Sequence, residues 1–163
     1  MKKILVILSI IMVFIACDYA KESAKLKPDI EITYMNPVGW YTSVGDTTHY
    51  AVIEEIDFVP KNSVDCYLKE LIWEYYDVYG NYIFGPTEPM AIYARLEGIT
   101  DPEAVDTFKL LNISLPLDTV RRYLTSKGLQ SAKTMLHFIV TDEYFNSPDT
   151  TEAWFGIYLM PSD

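Results

Sequence analysis

Residues 64–84 read VDCYLKELIWEYYDVYGNYIF, and this stretch decides the fold. It is rich in aromatic and β-branched residues, which suit a pleated, half-buried surface. Tyr79-Gly80-Asn81-Tyr82 carries the glycine and asparagine of a hairpin turn between two strands. Successive strand residues face opposite ways, so Trp73, Tyr75 and Tyr79 are expected on one side and Tyr76, Tyr82 and Phe84 on the other. Only one side can be a core. The other presents tyrosines outward or lies beneath a helix or loop.

Working outward, the same period of two recurs between turn residues. Ile30, Ile32 and Tyr34 alternate with Glu31 and Thr33 until Asn36-Pro37 and Gly39 interrupt. Tyr50, Val52, Ile56 and Phe58 are expected on one face of the next strand, with Glu55 and Asp57 on the other. Pro60-Lys61-Asn62-Ser63 closes it. Downstream, residues 90–96 resume the sheet after Pro86 and Pro89, which exclude a central strand between them. Residues 107–115 should carry Phe108 and Leu110 on one face and Leu111 and Ile113 on the other. Residues 135–141 and 153–160 complete the series. One short helix is expected over 119–127, capped by Asp118, burying Val120 and Leu124, and ended by Gly128 in a left-handed conformation. Seven to eight short strands with one short helix predict an all-β sandwich with Greek-key connections.

Trp73 on a central strand and the closing pair, residues 134–142 followed by 152–159, resemble an immunoglobulin-like or fibronectin type III-like domain of the bacterial kind. The resemblance implies an immunoglobulin-like β-sandwich. The immunoglobulin cysteine pair is absent, since the chain holds two cysteines, Cys17 and Cys66.

The first residues follow a different logic. Met1 to Lys3 are basic, and Ile4 to Ile15 form an apolar run broken by Ser9, followed at once by Ala16 and Cys17. This is the anatomy of a signal peptide, and the run is shorter than the roughly 20 residues that a spanning helix needs. Phe14-Ile15-Ala16-Cys17 resembles the lipobox of bacterial lipoproteins, with Phe14 standing where an aliphatic residue is usual. That resemblance implies cleavage before Cys17 and acylation of its thiol. Two or three acyl chains, each buried CH₂ contributing about 0.8 kcal/mol, would anchor the protein firmly. The expected organisation is a signal peptide over 1–16, a lipidated cysteine and tether over 17–28, and one β-sandwich domain over 29–163. The expected address is extracytoplasmic, on a periplasmic face or cell surface, with the membrane engaged through Cys17.

Charge narrows the partners. The chain carries 23 acidic residues against 13 Lys and Arg, a formal charge of −10. Removing Lys2 and Lys3 with the export segment leaves 23 against 11, an excess of 12 negative charges. Nucleic-acid binding rests on neutralising phosphates with Lys and Arg, so this balance opposes it.

No residue set announces catalysis. There is no HExxH, CxxC, nucleophile elbow or glycine-rich phosphate loop. His49 and His137 fall in separate strand segments, and Cys66 in an alternating apolar segment reads as a buried thiol. The acidic clusters Glu54-Glu55-Asp57, Asp101-Glu103-Asp106 and Asp142-Glu143-Asp149 fit solvated loops and outward strand faces. A pair of them across a cleft would suit glycoside hydrolysis, and Asp101, Glu103 and Asp106, after Gly98, are the best oxygen set for calcium. No cofactor is expected. The expected function is a non-catalytic binding or scaffolding domain at the cell envelope, with a protein or glycan partner. Its alternative is a carbohydrate-binding domain using an exposed aromatic strand face. The candidate surface is Trp40, Tyr41, Tyr75, Tyr76, Tyr79 and Tyr82, because large rings give contact area at small entropic cost.

Overall fold

The computed structural model describes residues 26–101, 106–144 and 148–161. The expected signal peptide, Cys17 and most of the expected tether lie outside the described residues, as does Glu103. The elements in chain order are β1 (Ile30–Asn36), β2 (Gly39–Ser43), β3 (Tyr50–Pro60), β4 (Cys66–Asp77), β5 (Tyr82–Phe84), β6 (Met90–Leu96), β7 (Phe108–Pro116), α1 (Asp118–Lys127), β8 (Ser131–Asp142) and β9 (Asp149–Met160). The described chain is thus all-β apart from α1, and no described helix is long and apolar enough to cross a membrane.

The strands form two sheets. The smaller has the order β1-β3-β7; the larger runs β2-β9-β8-β4-β5, with β6 pairing along the same edge of β4. Strands β5 and β6 divide that edge: Tyr82 and Phe84 pair with Tyr76 and Tyr75, while β6 pairs with the Cys66–Leu71 half. Prolines 86 and 89 separate the two, as expected of residues that cannot donate to a ladder.

The sheets face each other across one core. From the smaller sheet come Ile53, Ile56, Phe58, Ile113 and Leu115; from the larger, Leu68, Leu71, Tyr75, Leu136, Phe138, Phe155 and Ile157. Phe58 meets Phe138 edge-on at 4.9 Å between ring centroids. The Tyr75 hydroxyl donates to the Pro116 carbonyl at 2.8 Å, joining the sheets at one end.

Three departures from strict alternation explain where the sequence pattern misleads. On β3 the buried residues are Ala51, Ile53, Ile56, Phe58 and Pro60. The phase slips at Glu54-Glu55, so Tyr50 is exposed and Val52 half-buried, not partners of Ile56 and Phe58. On the paired strand β7 the slip falls at Leu111-Asn112, with Asn112 in the left-handed region at φ 58°. Leu110 and Ile113 consequently turn to the core together and Leu111 to solvent. A bulge near Lys69 does the same on β4, shifting register against both β6 and β8. A bulge inserts one residue and moves everything beyond it to the other face.

Nine strands occur among the described residues, one more than the upper end of the expected range. The addition is β2, which runs parallel to β9 from Gly39 opposite Gly156 to Ser43 opposite Met160. Its five residues lack an apolar alternation, because it lies on a sheet edge. The helix ends as expected, at Gly128 with φ 64°. Its start differs: Leu117 occupies the cap position without a side-chain hydrogen bond. The buried Leu117 instead fills the core, and the Asp118 carboxylate is drawn to His49 at 2.8 Å and to Arg121 at 2.6 Å.

Candidate functional site

The outer face of the larger sheet carries a concavity. Strand register sets three rows across β4, β8 and β9: Tyr76–Lys133–Gly156, Glu74–Met135–Trp154 and Ile72–His137–Glu152. Each is an outward position, since the alternate residues Ala132, Leu136, Ala153, Phe155 and Ile157 are buried. Gly156 has no side chain to fill its place in the first row. The residues around it enclose an open groove of about 760 Å³, walled by Tyr76, Trp154 and Tyr158 and floored in part by Met135.

Tyr158 lies back over two glycines. A Cβ at Gly156 would come within 2.6 Å of its hydroxyl oxygen, and one at Gly39 within 2.8 Å of its ring. The glycines are therefore what lets this ring lie close to the sheet. Tyr41 from β2 stacks on it, with centroids 5.0 Å apart and planes 26° from parallel. Across the groove, the ammonium of Lys133 sits over the ring of Trp154.

A polar chain runs beside these rings. The Tyr76 hydroxyl donates to Glu74 at 2.5 Å, which raises the pKa of the phenol above its ordinary value because that bond favours the neutral form. Glu74 lies 3.6 Å from His137 Nε2, and Glu152 lies 3.0 Å from His137 Nδ1. The two carboxylates flank opposite ring nitrogens, so they diverge and do not converge on one ion. Among the described residues, no group of three or more His, Cys, Asp or Glu side chains could hold a metal. Asp101 and Asp106 of the expected calcium set are exposed, and Glu103 lies outside the described residues.

The expected aromatic surface is partly relocated. Tyr75 is corrected outright: it is fully buried, stacks on Phe84 at 4.6 Å, and is part of the core. Burial also pushes its phenol well above the ordinary range. Phe84 joins it on the core side, not Tyr76, because the β4–β5 register shifts between Tyr75 and Tyr76. Trp40 is half-buried and packs against the core. Tyr76 does border the groove, Tyr41 lies outside its lining and stacks on Tyr158, Tyr82 meets Tyr76 edge-on at 5.8 Å, and Tyr79 stands exposed on the hairpin turn. The sequence reading missed Trp154, Tyr158, Lys133, Met135 and Glu74. The signal for Trp154 and Tyr158 was present on β9, where Glu152, Trp154, Gly156 and Tyr158 alternate with the apolar Ala153, Phe155, Ile157 and Leu159.

The remaining polar clusters serve the fold. Glu55 and Asp57 pair with Lys109 between β3 and β7, and the lysine holds the Glu55 carboxyl below its usual range. Asp65 accepts from the Gly98 N–H and from Arg95, which lowers its pKa. Arg121, nearly buried, ties α1 to β2 through Thr42 Oγ1 at 3.2 Å and to the β2–β3 connection through the Thr48 carbonyl at 3.1 Å. Cys66 is buried, and desolvation pushes its thiol up to about 11, the opposite of what a nucleophile needs.

No protein-family profile matches the chain, and no curated protein matches its sequence. Among solved structures, a target of the Northeast Structural Genomics Consortium is 7% identical over 80% of this chain and 83% of its own, with a TM-score of 0.41. A protein from Archaeoglobus fulgidus is 8% identical over 82% of this chain and 97% of its own, also at 0.41. A solution structure from Arabidopsis thaliana is 12% identical over 85% and 84% of the two chains, at 0.34.

Proposed function

We propose that this chain is a lipid-anchored, extracytoplasmic, non-catalytic binding domain of the bacterial cell envelope. In this reading acyl groups on Cys17 hold it to the membrane, an immunoglobulin-like sandwich serves as the scaffold, and the groove beside Gly156 is the binding site. The observation that carries it is the groove: three aromatic rings and several ionisable groups gathered on an outer sheet face, where the core needs none of them. The lipobox supports the address. Feeding cells an isotopically labelled fatty acid should label the full-length protein. Cys17→Ser should abolish the label and move the protein out of the membrane fraction. A labelled Cys17→Ser protein, or a wild type free of the membrane, would contradict the anchor. For the site, the full-length wild type should enrich an envelope component that Trp154→Ala does not.

A second reading is carbohydrate binding, and the Tyr41–Tyr158 stack favours it. Tyr41 is 66% exposed and backed by Tyr158, a flat platform of the sort on which a sugar face packs. On a glycan array, Tyr41→Ala should lose binding while the core-preserving Tyr75→Phe retains it. An array silent for the wild type argues against glycans.

A further inference from the structure

We propose that two copies of this chain join through the free edge of β2, strand to strand and antiparallel, about a twofold axis at Tyr41. Strand β2 pairs with β9 on one side and ends the larger sheet on the other. The Gly156 N–H donates to the Val38 carbonyl at 3.0 Å, which sets the phase of this parallel ladder. Trp40 and Thr42 therefore address β9, and the N–H and C=O groups of Gly39, Tyr41 and Ser43 point away from it. Among the described residues, the one backbone partner on that side is the Asp46 N–H, 3.2 Å from the Ser43 carbonyl. A row of unpaired donors and acceptors is a template for another strand.

The other long edges are blunted, and β2 is not. Strand β1 has a register break between Ile32 and Tyr34 and carries Glu31. Strand β6 carries Arg95 and a left-handed Tyr93 at φ 54°, and β7 carries Lys109 and the left-handed Asn112. Charges, kinks and bulges of this sort keep edges from pairing. In β2 the register runs unbroken from Gly39 to Ser43, with no charge, proline or left-handed residue. Its surroundings in the chain, residues 32–45, carry no charge at all, in a protein of formal charge −10. This selects a second copy as the occupant. A basic partner would be drawn to the acidic surfaces, whereas two equally acidic chains meet most easily where neither is charged.

The outward face of β2 is also complementary to itself. A twofold axis at Tyr41 sets the two Tyr41 residues opposite each other and Gly39 opposite the partner's Ser43. The central pair exchanges two backbone hydrogen bonds, and each Gly39–Ser43 pair offers up to two more. Small residues flank the two large rings and leave them room, and aromatic pairs directly across strands stabilise a sheet. Each ring is backed by Tyr158 of its own chain, 5.0 Å away. Because the remaining long edges are blunted, pairing closes at two copies.

The inference does not rest on the groove. Its test follows the full-length chain by sedimentation equilibrium in density-matched micelles of an uncharged polyoxyethylene detergent. The wild type should rise with concentration toward twice the single-chain mass. Tyr41→Lys places like charges opposite each other and removes the ring pair, so dimerisation should weaken at least about tenfold. Tyr41→Phe keeps the ring and should dimerise as the wild type does. Leu111→Lys, the same charge change on β7, should dimerise too. Disulfide trapping with diamide reads the register. In Tyr41→Cys the two Cα atoms fall about 5.5 Å apart, within disulfide reach, and the copies should link. In Ser43→Cys they fall roughly 14 Å apart and should stay unlinked. The wild type, treated alike, should give no linked band from Cys17 or Cys66. A monomeric wild type, whether or not its edge takes up another protein's strand, overturns the proposal. So does a dimer that Tyr41→Lys leaves intact, or one that Ser43→Cys links as readily as Tyr41→Cys. The groove reading stands or falls separately, on whether Trp154→Ala loses the envelope component that the wild type enriches.

Discussion

Replacing Tyr75 by Phe separates the two roles this residue could have had. Its ring is fully buried against Phe84, and its hydroxyl donates to the Pro116 carbonyl at 2.8 Å, bridging the sheets. Phenylalanine keeps the ring and deletes the donor. The lost hydrogen bond contributes about 1 kcal/mol net, and a stranded buried carbonyl can cost about as much again. Pro116 is only half-buried, so water can reach its carbonyl in part. The expected loss is therefore about 1–2 kcal/mol, or roughly 3–8 °C in Tm for a domain of this size. Tyr75→Ala also removes the ring and should lose about 3–5 kcal/mol. Urea unfolding followed by far-UV circular dichroism measures both, and the denaturant slope should stay constant in Tyr75→Phe. Ligand affinity of the folded Tyr75→Phe protein should equal that of the wild type. A variant of unchanged stability, or one that folds as well but binds more weakly, would refute the assignment of Tyr75 to the core.

Two further outcomes follow from the polar network. Cys66 stays protonated in the folded protein up to about pH 11, against an ordinary value of 9.0, so its contribution is complete below pH 9 and lost as pH rises. Stability should fall on the order of 1.4 kcal/mol per pH unit from this group between those limits, and Cys66→Ala should flatten that part of a stability–pH curve. Arg121→Ala removes a nearly buried guanidinium that serves Thr42, the Thr48 carbonyl and Asp118. It should destabilise by about 2–3 kcal/mol in chemical denaturation, since hydrogen bonds to charged groups are the costlier ones to lose. A loss below about 0.5 kcal/mol would mean that water replaces the arginine there.

Much of the fold was legible in residues 64–84, because a strand with one buried face writes its pattern directly into the chain. Trp73 and Tyr75 share one side, as the alternation predicts, although it took the packing of the two sheets to make that side the core, and Gly128 ends the helix as its freedom of φ predicts. The failures fall where a single residue changes phase. The slips at Glu54-Glu55, Lys69 and Asn112 are worth one position each, and a period-two reading carries such an error to the end of the strand. Asp118 was misplaced as a cap for another reason: its partners, His49 and Arg121, compete with the helix N–H groups, and His49 is 69 residues away.

The groove was half legible. Each strand taken alone shows an outward face, Tyr76 on β4, Lys133 and His137 on β8, Trp154 and Tyr158 on β9. Alternation along one strand decides which side a residue takes. It does not decide which residue stands opposite on the next strand. That depends on sheet order and register, set by long-range packing of Phe58, Phe138 and Phe155 in the shared core. Sequence alone thus determined a β-rich chain of strongly acidic composition. Tertiary structure decided that Tyr76, Trp154 and Tyr158 border one groove, because only the paired strands bring those rings to one place.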